Sequence, residues 1–216
     1  MRAIVKRPEP ASLVEYRAAG NTSYNDYRYK DGVRMSLVTE QRGLCCYCLS
    51  PIRPEVAEMR IEHWHSQDNY PTEQLVYSNL LGACLGGEGQ PRSLQYCDVY
   101  KGNRDLSRNP SNPLSQVEKL IRFEGSGRIF SDNLTFNGEL ENVLNLNVAF
   151  LKNRRKAVLD AFTGALSKRK GLPRKTLEKW LRDWNGESHA GELEPFLSGD
   201  RLLAEKASRP RVSSEN

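Results

Sequence analysis

The feature that most constrains this fold is a set of four cysteines near the middle of the chain. Cys45 and Cys48 form a C-x-x-C pair, and Cys84 and Cys97 follow on either side of a glycine-rich loop. A C-x-x-C turn lets two thiolates bind one tetrahedral ion, and two further thiolates close the site. We therefore predict one structural Zn²⁺ held by these four side chains, with Cys46 pointing away from the metal.

Two other interpretations of the cysteines stay open at this point. The four thiols could be buried and unreactive, or Cys45 and Cys48 could form a redox dithiol. No βαβ pattern surrounds that pair, which disfavours the redox interpretation. The total of five cysteines is odd, and a disulfide framework is rare in a reducing compartment. A metal with four thiolate ligands and one spare thiol fits these observations better.

Composition indicates a soluble globular protein. The chain has 216 residues, of which 38% are hydrophobic and 27% charged, enough for one medium domain or a small core with a helical appendage. Apolar runs are too short for a membrane span. The patch at residues 3–5 is also too short for the core of a signal peptide. We expect a cytoplasmic protein with no membrane association.

The hydrophobic pattern predicts helices and short strands in alternation. Strands are expected at residues 3–5, 51–52 and 59–64, with a hairpin at 120–130. Helices are expected at residues 11–19, 31–41, 97–102, 147–168 and 174–184. Residues 192–206 show a mixed pattern. We divide the chain into a helical lead-in (1–44), a core (45–113), a hairpin plus helical region (114–207) and a flexible tail (208–216).

Residues with catalytic chemistry lie between the cysteines. Glu62 and His63 are adjacent on a predicted strand, Asn79 follows, and Asp98 comes directly after Cys97. Each residue has an ordinary structural explanation: a core histidine, a turn asparagine and a helix-capping aspartate. Hydrolysis of a phosphodiester, however, needs a base for water and a hard cation for the phosphate. A histidine supplies the base at neutral pH, and acidic oxygens bind Mg²⁺.

This order of motifs resembles the HNH, or ββα-metal, endonuclease family. The resemblance implies an α+β fold, with a zinc-stapled nuclease core, a flanking hairpin and a C-terminal helical region. It also implies that His63 is the general base and that Asn79 braces the loop that orients it. Glu62 and Asp98 would bind a catalytic Mg²⁺ or Mn²⁺. Asp98 stands where the family more often has Asn or His, which leaves open whether Asn103 is the ligand instead.

Longer stretches resemble the PtuB family of Septu and retron-linked anti-phage systems. They include RIEHWHSQDNYP, YSNLLGACLGGEG and CDVYKGNRDLSRNPSNP. This resemblance implies a PtuA-like ABC-type ATPase as the partner that restrains or triggers the nuclease. It further implies a nucleic-acid substrate, either DNA or an RNA such as tRNA. A retron reverse transcriptase and its RNA–DNA product are additional implied partners.

Positive charge is concentrated in the C-terminal helices. Residues 152–182 contain eleven lysines and arginines against two acids, in a chain of net charge +5. This face could bind a nucleic-acid backbone, dock on an acidic partner, or be a solvated helix surface. The candidate contacts with nucleic acid or a partner are His65, Lys101, Arg104, Arg154 and Arg155. For His65, contact with phosphate and simple packing are both open.

A second function class is a non-catalytic zinc-binding adaptor that recognises nucleic acid or the partner ATPase. The Glu62-His63 pair favours the nuclease, because an adaptor has no need of a base beside a candidate metal ligand.

Overall fold

Two antiparallel sheets of two strands each and several helices make up the described part of the chain. The computed structural model describes residues 1–169, 171–184, 191 and 193. In chain order, the elements are α1 (Ala11–Ala18), α2 (Lys30–Glu40), β1 (Arg60–His63), β2 (Leu80–Ala83), α3 (Cys97–Lys101), α4 (Val117–Leu120), β3 (Ile121–Phe123), β4 (Ile129–Ser131), α5 (Leu134–Asn142), α6 (Ala149–Ser167) and α7 (Arg174–Trp184). The expected mixture of helices and small sheets is confirmed. The predicted mixed segment at 192–206, apart from residue 193, and the predicted tail lie outside the described residues.

The first sheet places the acid–histidine pair beside a buried strand. β1 runs antiparallel to β2, with Glu62 opposite Leu81 and His63 opposite Leu80. All four residues of β2 are buried. The sequence predicted no strand at Leu80–Ala83, because an apolar run of this length carries no clear periodicity. Since α3 follows β2, the chain passes through strand, strand and helix in that order.

Several predicted elements differ from the structure. Residues 3–5 form no strand; instead, the Ile4 N–H donates to the carbonyl of Pro110 at 2.9 Å. Around residue 51, pairing is limited to a single bridge between Leu44 and Pro51. Helices α4 and α5 were not predicted. Helix α5 has a recognisable start, because the Asn133 side chain accepts the N–H of Phe136.

One buried cluster joins the predicted core to the regions on both sides of it. Its members include Ile4, Ile52, Leu81, Ile129 and Leu151. In a second buried cluster, side chains of α1 and α2 pack with Leu75, Tyr77 and Leu80. The hairpin and helical region therefore contributes to the same interior as the cysteine-bearing segment. Over the described part of the chain, no helix combines the length and apolar character needed to cross a lipid bilayer.

The β3–β4 turn lies directly against α6. Gly127 in this turn has a φ of +81°, and a Cβ there would sit 2.1 Å from the Lys152 carbonyl oxygen. The side chain of Arg155 also reaches this turn and donates to the Gly127 carbonyl at 2.6 Å. Only glycine allows this backbone conformation together with so close an approach to a helix.

We predict that Gly127→Ala lowers the free energy of unfolding by at least about 2 kcal/mol, because it adds both a strained φ and a clash with helix backbone. Gly125→Ala in the same turn is the matched control. A Cβ at residue 125 meets nothing within 4 Å, so its effect should stay below about 1 kcal/mol. Urea denaturation of both variants makes the measurement, and equal effects would contradict this account of the turn.

Candidate functional site

The four cysteines predicted to bind zinc converge on one point. Cys45, Cys48, Cys84 and Cys97 are all buried, and their Sγ atoms lie within 4.8 Å of one another. The Cys45–Cys97 and Cys48–Cys84 sulfur separations are 3.9 and 3.6 Å. A tetrahedral zinc with bonds of about 2.3 Å places its sulfurs about 3.8 Å apart, whereas a disulfide brings them to about 2.05 Å. The spacing fits a metal and excludes disulfides.

The chemistry of the donor set also favours a metal. Burial, together with hydrogen bonds to the neighbouring thiols, raises the pKa of Cys97 well above its usual value. Four buried thiolates repel one another, so they need a bound cation to ionise together. Zinc is the soft divalent ion that four thiolates commonly hold, and such a site has no open coordination position. The cluster is therefore suited to a structural role.

Backbone geometry holds the two halves of the cluster in place. The turn at residues 45–50 is closed by a hydrogen bond from the Cys45 N–H to the Ser50 carbonyl. The glycine-rich loop returns to the cluster through Gly86, whose carbonyl accepts the Tyr96 N–H at 2.8 Å. A Cβ on Gly86 would lie 2.2 Å from the Tyr96 carbonyl oxygen. The loop therefore folds back and brings Cys84 and Cys97 to the same cluster. Cys46 is buried outside the four-sulfur group.

A cleft of about 370 Å³ opens beside β1. Its lining includes Arg60, Glu62, His63, Asp98 and Asn103. The strand delivers the first three of these residues and the start of α3 delivers Asp98. The structure thus brings the predicted base and both predicted acidic ligands to one cavity.

Glu62 is a buried carboxylate, and a hydroxyl and an ammonium group both lie within hydrogen-bonding distance of one of its oxygens. The Tyr47 hydroxyl donates to its Oε1 at 2.7 Å, and the Lys101 ammonium lies 2.9 Å from the same atom. Burial, the negative charge of Asp98 and a hydrogen bond with Asp98 raise the pKa of Glu62 well above its usual value. Two carboxyl groups this close share a proton unless a cation lies between them. The Glu62–Asp98 pair could therefore hold a divalent ion.

Asp98 is anchored by an arginine of β1. The Arg60 Nε donates to Asp98 Oδ2 at 2.7 Å, and its Nη1 donates to Glu88 at 2.7 Å. Asn103, the alternative ligand, is exposed and donates through its Nδ2 to Asp68 at 2.5 Å. Of the two, Asp98 is the one in contact with Glu62.

His63 lies on the cleft wall with one ring nitrogen fixed. Its Nε2 is 3.0 Å from the carbonyl oxygen of Gln74, and its ring lies nearly perpendicular to that of Tyr24, with the centroids 4.5 Å apart. Because a carbonyl only accepts hydrogen bonds, Nε2 carries the proton and Nδ1 keeps its lone pair. Burial lowers the pKa of His63 below its usual value, so the ring is neutral at neutral pH. A neutral imidazole with a free nitrogen can accept a proton.

The side chain of Asn79 braces the chain that follows β1. Its Oδ1 accepts the N–H of His65 at 2.8 Å, and its Nδ2 donates to the His65 carbonyl at 3.0 Å. Its own carbonyl accepts the N–H of Trp64 at 3.0 Å. These bonds fix the loop immediately after His63.

His65 lies beyond the end of β1 and is not among the residues that line the cleft of His63. Its ring lies between Trp64 and Tyr70, and its Nδ1 is 2.7 Å from a carboxylate oxygen of Glu73. It lines a depression next to the cleft. A contact of His65 with phosphate stays a prediction.

Two of the residues predicted to contact nucleic acid or a partner are buried, which disfavours that role for their side chains. Lys101 is 1% exposed, where it pairs with Glu62 and donates to the His63 carbonyl. Arg155 is also 1% exposed and donates to the carbonyls of Gly127 and Leu146. Both side chains lie on the interior faces of their helices, so each stabilises the fold.

The other two predicted basic contacts are on the surface. Arg104 links the ends of α3 and α5, because its guanidinium donates to the carbonyls of Lys101 and Val143. The same guanidinium lies over the Tyr100 ring. Arg154 is exposed and lies 5.3 Å from the centre of the Phe150 ring. Of these two, Arg154 is the one left facing solvent without a backbone anchor among the described contacts.

Sequence reasoning missed two residues that contact the acidic pair, Tyr47 beside Glu62 and Arg60 beside Asp98. Arg60 had a usable signal, because it lies two residues before Glu62 on one strand and therefore shares its face. Tyr47 lies between two zinc-ligand candidates, where a tyrosine carries no signal that it reaches Glu62.

Comparison with known proteins supports the resemblance predicted from the motifs. No protein-family model matches the chain. The chain is nevertheless 25% identical over 232 residues to an Escherichia coli protein named "Retron Ec83 putative HNH endonuclease", covering 86% of this chain and 88% of that protein. It is also 25% identical over 111 residues to the Septu protein PtuB of Bacillus thuringiensis. That match covers 49% of this chain and 39% of PtuB.

We predict one zinc per folded chain and loss of both zinc and fold in Cys97→Ser, because metal binding supplies about 10 kcal/mol or more of folding free energy in small thiolate sites. Cys46→Ser is the matched control, since this buried cysteine lies outside the cluster, and it should keep the zinc. Metal analysis and circular dichroism of the purified proteins measure both effects. A folded wild-type protein without zinc would contradict the prediction.

The two adjacent arginines of α6 should behave differently. Arg155→Ala leaves two buried carbonyls without their donor, so we expect a loss of about 2–4 kcal/mol in the free energy of unfolding. Arg154→Ala removes the same charge from the surface and should change stability by less than about 0.5 kcal/mol. Thermal and chemical unfolding of both variants tests this contrast, which similar losses would refute.

Proposed function

We propose that this protein is a metal-dependent HNH endonuclease that hydrolyses phosphodiester bonds of nucleic acid. The observation that carries the proposal is the shared cleft of His63 and the Glu62–Asp98 pair. A base with a free nitrogen beside two paired carboxylates is the arrangement that this hydrolysis needs. The similarity to a protein named as an HNH endonuclease supports the same conclusion.

In the proposed reaction, His63 accepts a proton from water through Nδ1 while its Nε2–H stays bonded to the Gln74 carbonyl. The water oxygen then bonds to phosphorus, and the bond from phosphorus to one ester oxygen breaks. Burial favours this role, because it keeps the imidazole neutral and able to take a proton. Asn79 holds the loop after His63 and so limits movement of the base.

Glu62 and Asp98 would bind the catalytic ion, Mg²⁺ or Mn²⁺. Such an ion would neutralise charge on the phosphate and on the leaving oxygen. Asp98 is favoured over Asn103 as the second ligand because its carboxyl group contacts Glu62. Arg60 anchors Asp98 from the cleft wall and is the positively charged member of the cleft lining.

The biological setting is proposed from similarity to the PtuB family. We propose an effector of anti-phage defence that is controlled by a PtuA-like ABC-type ATPase, with a retron reverse transcriptase and its RNA–DNA product as further partners. The substrate would be DNA or an RNA such as tRNA. The exposed basic side chains of α6, including Arg154, offer a surface for a phosphate backbone or an acidic partner.

The central test compares wild type with His63→Ala in Mg²⁺ or Mn²⁺, on duplex DNA, single-stranded DNA and tRNA. We expect the variant to keep its zinc and fold but to lose cleavage by about 10²-fold or more, because the general base is absent. Gel analysis of cleavage products gives the rates. His65→Ala is the matched histidine variant, and it should retain more activity than His63→Ala.

Equal cleavage by wild type and His63→Ala would contradict the proposal. Absence of cleavage on every substrate, combined with tight nucleic-acid or ATPase binding, would instead support the zinc-binding adaptor.

A further inference from the structure

Tyr47 connects the cysteine cluster to the cleft. It lies in the turn that carries Cys45 and Cys48, and its side chain is completely buried. Its hydroxyl donates a 2.7 Å hydrogen bond to Glu62, fifteen residues further along the chain. One turn therefore supplies two candidate zinc ligands and a direct contact with a candidate ligand of the catalytic ion.

Both donors on Glu62 use the same carboxylate oxygen. The Tyr47 hydroxyl and the Lys101 ammonium approach Oε1, at 2.7 and 2.9 Å. A carboxylate whose one oxygen accepts two strong donors is fixed in rotation, and its other oxygen remains for a further partner. For Glu62 that other oxygen is Oε2, on a side chain that lines the cleft.

The turn that carries Tyr47 is itself tied to the sheet that carries Glu62. The Cys46 N–H donates to the carbonyl of Gly82 on β2 at 2.9 Å, and β2 pairs with β1. On its other side, the turn leads into the four-sulfur cluster. Backbone hydrogen bonds therefore link the turn that carries Tyr47 to the sheet that carries Glu62. Such a link is expected of a group that orients another side chain.

We propose that Tyr47 is a positioning residue that fixes Glu62 with Oε2 facing the cleft, so that affinity for the catalytic divalent ion depends on the geometry of the cysteine turn. This inference rests on the proposed nuclease function. The simpler alternative is that the Tyr47–Glu62 hydrogen bond stabilises the core and has no influence on ion binding.

Tyr27 provides a matched control for this alternative. It is also buried, and its hydroxyl makes one 2.8 Å hydrogen bond, to Ser12. It belongs to the cluster under α1 and α2 and is not part of the cleft lining. Each of the variants Tyr27→Phe and Tyr47→Phe thus removes one hydroxyl group from a buried tyrosine. Only Tyr47→Phe removes a hydrogen bond to Glu62.

The experiment uses full-length, zinc-loaded protein and measures Mn²⁺ affinity by electron paramagnetic resonance, with zinc content and nucleic-acid cleavage in parallel. For Tyr47→Phe we expect one zinc per chain and a Mn²⁺ dissociation constant raised about 10- to 100-fold, as is usual when a partner of a metal ligand is removed. Its cleavage rate should recover as Mn²⁺ is raised. Tyr27→Phe should bind Mn²⁺ within about twofold of wild type.

The possible results separate the two proposals. Wild-type Mn²⁺ affinity in Tyr47→Phe, equal losses in both tyrosine variants, or loss of zinc or fold in Tyr47→Phe would each overturn the positioning role. If the wild-type protein itself neither binds Mn²⁺ nor cleaves nucleic acid, the proposed nuclease function fails instead.

Discussion

The convergence of four cysteine sulfurs is the interaction on which the rest of the structure depends. It joins the turn at residues 45–50, the glycine-rich loop and the first residue of α3 at one buried point. Because Asp98 directly follows Cys97, the same junction determines where this carboxylate enters the cleft. A short sheet of two strands has little stability alone. A metal bound to these thiolates would supply the missing free energy.

The cleft beside β1 concentrates charge that the fold must offset. Glu62 and Asp98 are close together, which is unfavourable when both are ionised. Lys101 and Tyr47 approach the first carboxylate and Arg60 approaches the second. These partners hold both carboxylates in place on the cleft lining. Such an arrangement is common where a protein prepares a site for a cation.

The hairpin and helical region supports this core through polar contacts as well as apolar packing. The Leu144 carbonyl accepts the N–H of Cys97, and Asn145 donates to the Gln95 carbonyl, so the segment before α6 lies along the cysteine loop. Arg155 then ties that segment to the β3–β4 turn. Its burial shows that a run of basic residues on a helix can include structural members.

The sequence by itself determined the longer helices and the strand with the acid–histidine pair, because periodicity is local. The sequence also predicted the four-cysteine cluster, because a C-x-x-C pair with two further cysteines around a glycine-rich loop is a recognisable motif even across long separations. It could not determine that Tyr47 reaches Glu62 or that Arg60 anchors Asp98, since these contacts join residues distant along the chain. Nor did the sequence identify Arg155 as a hydrogen-bonded interior residue. Helical spacing puts Arg155 on the same face as Leu151 and Leu159, but only the tertiary packing of the β3–β4 turn against α6 decided that this face holds an arginine, because the Gly127 carbonyl lies there to accept its hydrogen bond.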